Sequence, residues 1–489
     1  MSETTDSRKR EENSYRSILK GTSVFGGLQL FQIGVNLVRG KFVAMFLGPT
    51  GMGISALFNT SGQTIQQFSQ LGLNFAVVKE AAAAKEDEGG LRNVVRVTGR
   101  LMLAAALLGA LFCCLFAMPL SRLTFGTSDY YWQFMLLSLM IFFGVAGQGY
   151  TAVLQGLHKY KLVTTTLVSG ALAGLLIGVP MYAVWGNKGI VPAMVVMAFS
   201  ISLTAFIGVR KTVKRDRQPF SWSLHRPLAR RLVLMGLVLM SSEVIGVLCN
   251  YLTNLFIRYF GPFEAVGLYQ AANSLTNQYA GLVFMAMLLD FFPRLSAAAS
   301  DNGRIRDIVN RQMEVVGLIA TPLICLLILT SPLVIQILLT DSFLPIMPLM
   351  RWLGLGVLVR AVMTPMGYIA FAKDNKKLLF WLEAVFCNFL TLGLNCLSYY
   401  CFGLIGLGYA LVADCLLCLG IYYAVNRRLY GYRVNREAFT ESILALGLGA
   451  GCFAASLIED TSVSYVVMGI VTLGAITRSA ILLRRKTRR

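Results

Sequence analysis

Long apolar stretches, separated by short polar segments, follow one another along nearly the whole chain. They are continuous rather than alternating, and most reach the length of about 20 residues that a helix needs to cross a bilayer. Alternating positions, which are typical of membrane β-barrels, do not recur. The pattern predicts an all-α polytopic membrane protein with about 14 transmembrane helices. The predicted spans are 17–48, 50–83, 97–119, 130–155, 161–185, 189–210, 229–260, 263–293, 311–331, 343–372, 378–401, 404–426, 437–457 and 463–483.

The connections between these spans fall into two sets that differ in charge. One set holds nearly all of the lysines and arginines, whereas the other holds Arg122 and Lys188. By the positive-inside rule the basic set is cytoplasmic, so both termini are predicted to lie inside. The polar, basic start of the chain runs directly into a long first span, and we therefore expect no cleaved signal peptide.

One phrase occurs twice, as "GPTGMG" at the start of span two and as "GPFEAVG" at the start of span eight. Basic turns repeat at Lys161 and Lys377, and glycine turns repeat at Gly189 and Gly406, with nearly the same separation in sequence. These landmarks predict an internal duplication of six spans. Because six is even, the two halves share one orientation and are expected to be related by an axis along the membrane normal.

The duplication and the basic connections predict five segments. They are a cytoplasmic basic tail (1–16), an N-terminal lobe of spans one to six (17–210), a basic cytoplasmic linker (211–228), a C-terminal lobe of spans seven to twelve (229–426), and spans thirteen and fourteen with a basic tail (427–489).

Amide side chains recur at helical spacing in spans two and eight. Since an amide is costly to bury in hydrocarbon, these positions should meet protein or water. Hydrogen bonding between packed helices is the simpler interpretation, but six amides in span two favour a wet cavity that binds hydroxyl-rich ligands such as sugars. The predicted cavity-lining residues are Asn59, Gln63, Gln66, Gln67, Gln70 and Asn74 in span two and Gln270, Asn273 and Asn277 in span eight.

Five cations that lie within predicted spans, away from the basic cytoplasmic ends of those spans, are candidates for binding an anion. A cation at the centre of a span costs about 2.5–3.5 kcal/mol on insertion scales, so it should face a partner or a cavity. Phosphate is the obvious anionic group, although Arg258 and Arg351 lie where a long side chain can reach the interface instead. The five are Arg39, Lys41, Arg258, Arg351 and Arg360.

Two carboxylates lie deep in spans, Glu243 in span seven and Asp414 in span twelve. Either can act as a counter-ion for the cations or carry a proton, because burial raises the pKa of a carboxylate toward a useful range. Proton and sodium coupling both stay open, and we expect no other cofactor.

The composition of the chain argues against several classes of protein. The chain has 489 residues, of which 56% are hydrophobic and 14% charged, too few charges for an ordinary soluble protein. The net charge of +20 is explained by the cytoplasmic connections and by attraction to anionic lipid headgroups, without a nucleic-acid partner. Two histidines offer little for a metal site, and no catalytic constellation is apparent.

Three passages resemble Wzx-type lipid-linked oligosaccharide flippases. They are "LVRGKFVAMFLGPTGMG", "LLDFFPRLSAAASDNGRIRDIVNRQ" and "GYIAFAKDNKK". These flippases are polysaccharide transporters of the multidrug/oligosaccharidyl-lipid/polysaccharide exporter superfamily, and the pattern is similar to that of O-antigen and enterobacterial common antigen translocases.

The resemblance implies a two-lobed bundle in the bacterial inner membrane that works by alternating access. It would move undecaprenyl-diphosphate-linked glycan from the cytoplasmic to the periplasmic leaflet, with Arg39, Lys41 and Arg360 holding the diphosphate. Glycan polymerase and chain-length proteins are the partners it implies, besides membrane lipids. The alternatives are an ion-coupled multidrug exporter of the same superfamily, a membrane glycan polymerase or ligase, and an assembly scaffold.

Overall fold

The computed structural model describes the backbone of residues 3–213 and 222–487. Side chains are described from Phe31 onward, except those of 214–224, 238–239, 241–242, 279–280, 282–283, 285–290 and 486–489. The regular elements in this part of the chain are all helical. They are α1 (Glu3–Gln70), α2 (Leu73–Ala83), α3 (Glu88–Leu115), α4 (Ala117–Phe125), α5 (Tyr131–Gly156), α6 (Tyr160–Ala173), α7 (Val179–Trp185), α8 (Ile190–Thr212), α9 (Trp222–Phe260), α10 (Phe263–Ala297), α11 (Asn302–Leu338), α12 (Met347–Ala372), α13 (Lys376–Leu378), α14 (Asn388–Tyr430), α15 (Arg436–Ala455) and α16 (Thr461–Thr487).

Nine helical stretches within the described residues are long and apolar enough to cross a membrane. Three of them, Phe31–Gln70, Tyr160–Thr212 and Lys376–Tyr430, have 40, 53 and 55 residues. At 1.5 Å per residue each of these three exceeds the length of one crossing. The prediction of an all-α polytopic membrane protein is therefore confirmed, while the count of 14 spans stays a prediction.

Each of these long stretches is broken by a glycine with a left-handed backbone. The φ values are 63° at Gly48, 53° at Gly186 and 62° at Gly403. A residue with a Cβ seldom adopts this conformation, so the glycines allow the chain to turn back between two apolar segments. The turns at Gly186 and Gly403 share a second feature, a closely packed glycine three residues later. An ideal Cβ would lie 2.4 Å from Met181 O at Gly189 and 2.0 Å from Ser398 O at Gly406.

The turns predicted to be cytoplasmic repeat in the same way. His158 and Asp374, each three residues before the repeated lysines Lys161 and Lys377, are two of the few described non-glycine residues with positive φ, at 56° and 48°. After each of them the next amide donates to a carbonyl five residues back, from Lys159 to Leu154 at 3.0 Å and from Asn375 to Ala370 at 3.2 Å. The turns of "LHKYK" and "AKDNKK" thus share one backbone geometry.

Two helix starts complete the correspondence. Asp87 caps α3 by accepting from Gly89 N at 2.9 Å, and Asp301 caps α11 by accepting from Gly303 N at 2.8 Å. An aspartate at this position satisfies an amide that has no partner within the helix. The separation of the two caps in sequence is close to that of the repeated turns, and this agreement in local geometry confirms the internal duplication.

The chain forms two compact units. The first comprises Met1–Leu47 and Leu57–Tyr251, and the second comprises Gly48–Ala56 and Leu252–Arg489. The start of span two therefore packs with the second unit, and much of span seven packs with the first. The predicted lobe boundaries at 210 and 229 stay predictions, and the backbone of residues 214–221 in the linker between them lies outside the described residues.

Aromatic side chains fill the core of each unit. In the first unit the fully buried rings of Phe58 and Phe125 have centroids 4.7 Å apart, and Phe134 lies 5.3 Å from Phe58. In the second unit Trp352 of α12 packs between Tyr409 and Phe453, at 4.7 and 4.3 Å. Contacts of this kind add to the dispersion energy that holds helices together in lipid.

Candidate functional site

The two copies of the Gly-Pro phrase contact each other directly within the second unit. An ideal Cβ on Gly53 would lie 2.0 Å from Phe263 O, and one on Gly267 would lie 1.9 Å from Pro49 O. Each glycine therefore meets the residue four positions before the other glycine. Backbones approach this closely only where small residues face each other. The reciprocal contact joins spans two and eight near their predicted outer ends.

A pair of amides follows each of these glycines at the same distance along its helix. In span two Gln63 Nε2 donates to Asn59 Oδ1 at 3.3 Å, and in span eight Asn277 Nδ2 donates to Asn273 Oδ1 at 2.7 Å. Asn59 and Asn273 each lie six residues after their crossing glycine. The second residue of each pair along the chain, Gln63 in span two and Asn277 in span eight, is exposed.

These two pairs are called the amide ladders. Exposed amides at matching positions of a duplicated helix can donate to and accept from hydroxyl groups. Gln270, the third amide predicted in span eight, is half-buried one turn before Asn273.

The predicted amide face of span two divides into two lines. Asn59, Gln63 and Gln67 follow one another at four-residue spacing on the more accessible side. Gln66 and Gln70 are 6% and 1% exposed and point into the first unit. At 100° per residue all six positions fall within an arc of about 100°, so local packing and not helical phase separates the two lines. Asn74 lies beyond the end of α1 at Gln70.

The buried line packs against α5 rather than lining open space. Gln66 Nε2 donates to Met140 O at 3.4 Å, and an ideal Cβ on Gly144 would lie 2.5 Å from the same nitrogen. Gln66 therefore acts in helix packing, the simpler of the two predicted interpretations. Both amide atoms of Gln70 and Oδ1 of Asn74 are buried without a hydrogen-bond partner.

Glu243 lies beside the accessible line. Its Oε2 accepts from Gln67 Nε2 at 2.5 Å, although the sequence predicted a counter-ion for a cation or a proton carrier. This amide–carboxylate bond connects spans two and seven within the first unit. Neither predicted role is tested by it.

The two predicted anion-binding cations of the first unit, Arg39 and Lys41, lie in span one. The half-buried Arg39 donates from Nη1 to Met197 Sδ at 2.7 Å, and an ideal Cβ on Gly174 would lie 3.1 Å from that nitrogen. Its Nε is buried without a hydrogen-bond partner. A thioether is a weak acceptor, so much of the hydrogen-bonding capacity of this guanidinium is unused. Lys41, two residues further on, is also half-buried.

Two cations of the second unit contact the protein at the ends of their helices. Arg351 donates from Nε to Ser331 Oγ at 3.3 Å and from Nη1 to Ser456 O at 3.1 Å. Arg258 lies over the ring of Phe263, with Cζ 3.8 Å from the centroid. Both arrangements stabilise helix ends, and the predicted role of these residues in diphosphate binding stays a prediction.

Arg360 lies at a cavity of about 410 Å³ within the second unit. The exposed guanidinium is 5.6 Å from the ring centroid of Phe284, and Asp414, the predicted carboxylate of span twelve, lines the same cavity. The structure thus brings together one predicted cation and one predicted carboxylate. A second carboxylate, Glu383, lines this cavity as well and was missed by the sequence reasoning.

The position of Glu383 could have been suspected from the sequence. It is the one charged residue in "LLFWLEAVFCNFL", but it lies near the predicted cytoplasmic end of span eleven, where charges are common. In the structure it belongs to a π-helical segment, Leu379–Cys387. Such wide turns often occur at functional positions within helices.

Comparisons with known proteins agree with this architecture. A protein-family model described as "Polysaccharide biosynthesis protein" matches residues 42–348. The "Lipid III flippase" of Escherichia coli is 25% identical over 369 residues, which cover 73% of this chain and 86% of that protein. A Shigella flexneri protein named for O-antigen transport is 23% identical over 308 residues, 60% of this chain and 70% of that protein.

Solved structures share the fold. The "Lipid II flippase MurJ" in an inward closed conformation has a TM-score of 0.71 and 14% identity, covering 95% of this chain and 100% of that one. An inward-facing multidrug resistance MATE family transporter of the MOP superfamily has a TM-score of 0.69 and 16% identity, covering 82% and 94%. Together with the family match, these findings confirm the predicted resemblance to Wzx-type flippases of that superfamily.

Proposed function

Because this chain belongs to the polysaccharide biosynthesis protein family, in which its relatives are transporters and not enzymes, we propose a specific cargo for it. The protein is a flippase that moves undecaprenyl-diphosphate-linked oligosaccharide from the cytoplasmic to the periplasmic leaflet by alternating access. It acts in the bacterial inner membrane with both termini in the cytoplasm. Membrane lipids surround it, and polymerase or chain-length proteins receive its product.

The observation that carries this proposal is the exposed guanidinium of Arg360 within a membrane span. A charge at this depth is expensive unless it serves a partner or a cavity, and Arg360 lies at a cavity. Guanidinium groups bind phosphate oxygens in a bidentate manner, which suits a diphosphate headgroup. Arg39, with its buried Nε free of hydrogen bonds, supplies a second donor of the same kind in the first unit.

The amide ladders support the glycan part of the proposal. Asn59–Gln63 and Asn273–Asn277 present donors and acceptors that are only partly used by each other. A sugar hydroxyl both donates and accepts hydrogen bonds, and an amide side chain offers it an acceptor and a donor without adding charge. The polyprenyl tail would stay in lipid, since it gains nothing from a polar path.

A second candidate function is an ion-coupled multidrug exporter. The observation that favours it is the pair of carboxylates, Glu383 and Asp414, at the cavity of Arg360, because carboxylates attract cationic drugs. The cargo of such an exporter is cationic, whereas the lipid diphosphate is anionic, so one experiment separates the two functions.

The test is leaflet accessibility of lipid-linked glycan in a strain that lacks this protein. We expect glycan to accumulate on the cytoplasmic face and wild type to clear it, whereas Arg39→Ala and Arg360→Ala clear it slowly. Arg122→Ala is a matched control, because Arg122 donates from Nε to Ser128 Oγ outside the spans. Unchanged glycan distribution together with increased drug sensitivity would favour the exporter.

A further inference from the structure

The cavity of Arg360 has an asymmetric charge arrangement. Arg360 and Tyr368 reach it from α12, Glu383 and Cys387 from the π-helical segment, and Asp414 from α14. The remaining titratable groups at its wall, Cys415, Cys418 and Tyr422, all come from α14 as well. Two carboxylates and one guanidinium therefore line the same volume of about 410 Å³.

Both carboxylates are held in place by neighbouring hydroxyl groups. Asp414 Oδ1 accepts from Thr391 Oγ1 at 3.1 Å, and Glu383 accepts a hydrogen bond from the hydroxyl of Tyr422. Gly367 leaves room for this second pair, since an ideal Cβ there would lie 3.6 Å from Glu383 Oε1 and 3.7 Å from the Tyr422 ring. The helices thus position two acids at the cavity that Arg360 also lines.

Arg360 lines the same cavity as Asp414 and Tyr368. Yet the guanidinium itself is exposed and not enclosed by the acids. Opposite charges that line one cavity attract each other, so each ionised acid lowers the positive potential that an incoming anion meets at Arg360.

We propose that Glu383 and Asp414 compete with the lipid diphosphate for Arg360, so that protons and diphosphate bind cooperatively. This inference rests on the proposed function, because it assigns a control to the same diphosphate site. When the acids are ionised they neutralise Arg360 and weaken its hold on the headgroup. When they take up protons, the guanidinium is available to the diphosphate. Binding linkage is reciprocal, so bound diphosphate also favours protonation of the acids.

Binding of undecaprenyl diphosphate to the purified full-length protein in detergent tests this inference, with uncharged undecaprenol as the tail control. Between pH 8 and pH 6 we expect the affinity of wild type to rise about tenfold, a coupling of ordinary size. Glu383→Gln/Asp414→Asn should bind tightly at both pH values. Each single variant should give a smaller pH dependence, so the test survives if the double variant does not fold.

Three comparisons separate the possible causes. Glu459→Gln, which changes an exposed acid outside the spans, should keep the pH dependence of wild type. Arg360→Ala should bind undecaprenyl diphosphate weakly at both pH values, because the guanidinium for which the acids and the diphosphate compete is missing. Titration of the ligand phosphates affects all variants alike, so the difference between wild type and the double variant reports the protein groups.

Equal pH dependence in wild type and in the acid variants would overturn the competition while leaving the flippase proposal intact. Binding of undecaprenyl diphosphate no tighter than undecaprenol, in every variant, would overturn both. Tighter binding by the neutral variants at pH 8 alone, converging with wild type at pH 6, is the result that the inference requires.

Discussion

Gly53 and Gly267 lie in reciprocal contact, each with its Cα against a carbonyl that precedes the other by four residues. They are also equivalent positions of the internal duplication, since each closes its copy of the Gly-Pro phrase. A contact between equivalent positions is self-complementary, as at a two-fold interface. The glycines fix how closely spans two and eight approach before the amide ladders begin.

Gly53→Ala and Gly267→Ala should each destabilise the protein. The added methyl would lie about 2 Å from a carbonyl oxygen that belongs to the backbone, and overpacking of this kind costs about 1–3 kcal/mol. Because the two sites share one contact, the double variant should cost less than the two single variants together. Thermal unfolding in detergent measures this, with Gly393→Ala as the control, since nothing lies within 4 Å of its Cβ position.

The amides of span two should separate into two classes of mutant. Gln66→Leu removes a buried donor to Met140 O and should lower stability by about 1 kcal/mol with flipping little changed among folded molecules. Gln63→Leu and Asn277→Leu change exposed residues and should slow flipping without lowering the melting temperature. Similar loss of stability in all three variants would contradict the division into two lines.

Arg351→Ala should act on stability rather than on diphosphate binding. It removes two hydrogen bonds from a charged donor, to Ser331 and Ser456, and bonds of this kind contribute about 1.5–3 kcal/mol each. Thermal unfolding should shift, and the affinity for undecaprenyl diphosphate should stay near that of wild type. A strong loss of affinity for undecaprenyl diphosphate with unchanged stability would show instead that Arg351 binds the diphosphate.

Glu243→Gln should support nearly normal export. Its carboxylate accepts from Gln67, and a glutamine oxygen can accept the same bond. Glu243→Leu should impair export, because the Gln67 amide then loses its acceptor. The in vivo leaflet assay measures both variants. Loss of export in Glu243→Gln would show that the ionisable group itself is needed, as a proton carrier requires.

The sequence predicted the features that depend on the length of apolar segments and on the repetition of turn residues. Apolar length predicts membrane helices, and repeated turn residues predict the duplication that His158 and Asp374 display in their backbones. The sequence also suggested that Arg360 and Asp414 lie at one cavity, because charges deep in a membrane need a partner or a cavity.

Other features depend on packing that no periodicity shows. A one-residue difference in register places Gln66 against α5 and leaves Gln67 beside Glu243, although both are amides in the same helix. Arg351 is near the start of α12, and only the fold shows that Ser456, at the end of α15, accepts from it. Glu383 reaches the cavity from a π-helical segment, which the apolar periodicity of the sequence does not show.

The most direct test of the central claim is reconstitution into liposomes with a fluorescent undecaprenyl-diphosphate oligosaccharide in both leaflets. Without a flippase, a membrane-impermeant quencher added outside reaches about half of the fluorescent lipid, since the two leaflets hold similar amounts of it. We predict that wild type makes nearly all of the lipid accessible and that Arg360→Ala slows this strongly. Liposomes with folded wild-type protein that quench no further than empty liposomes would contradict the account.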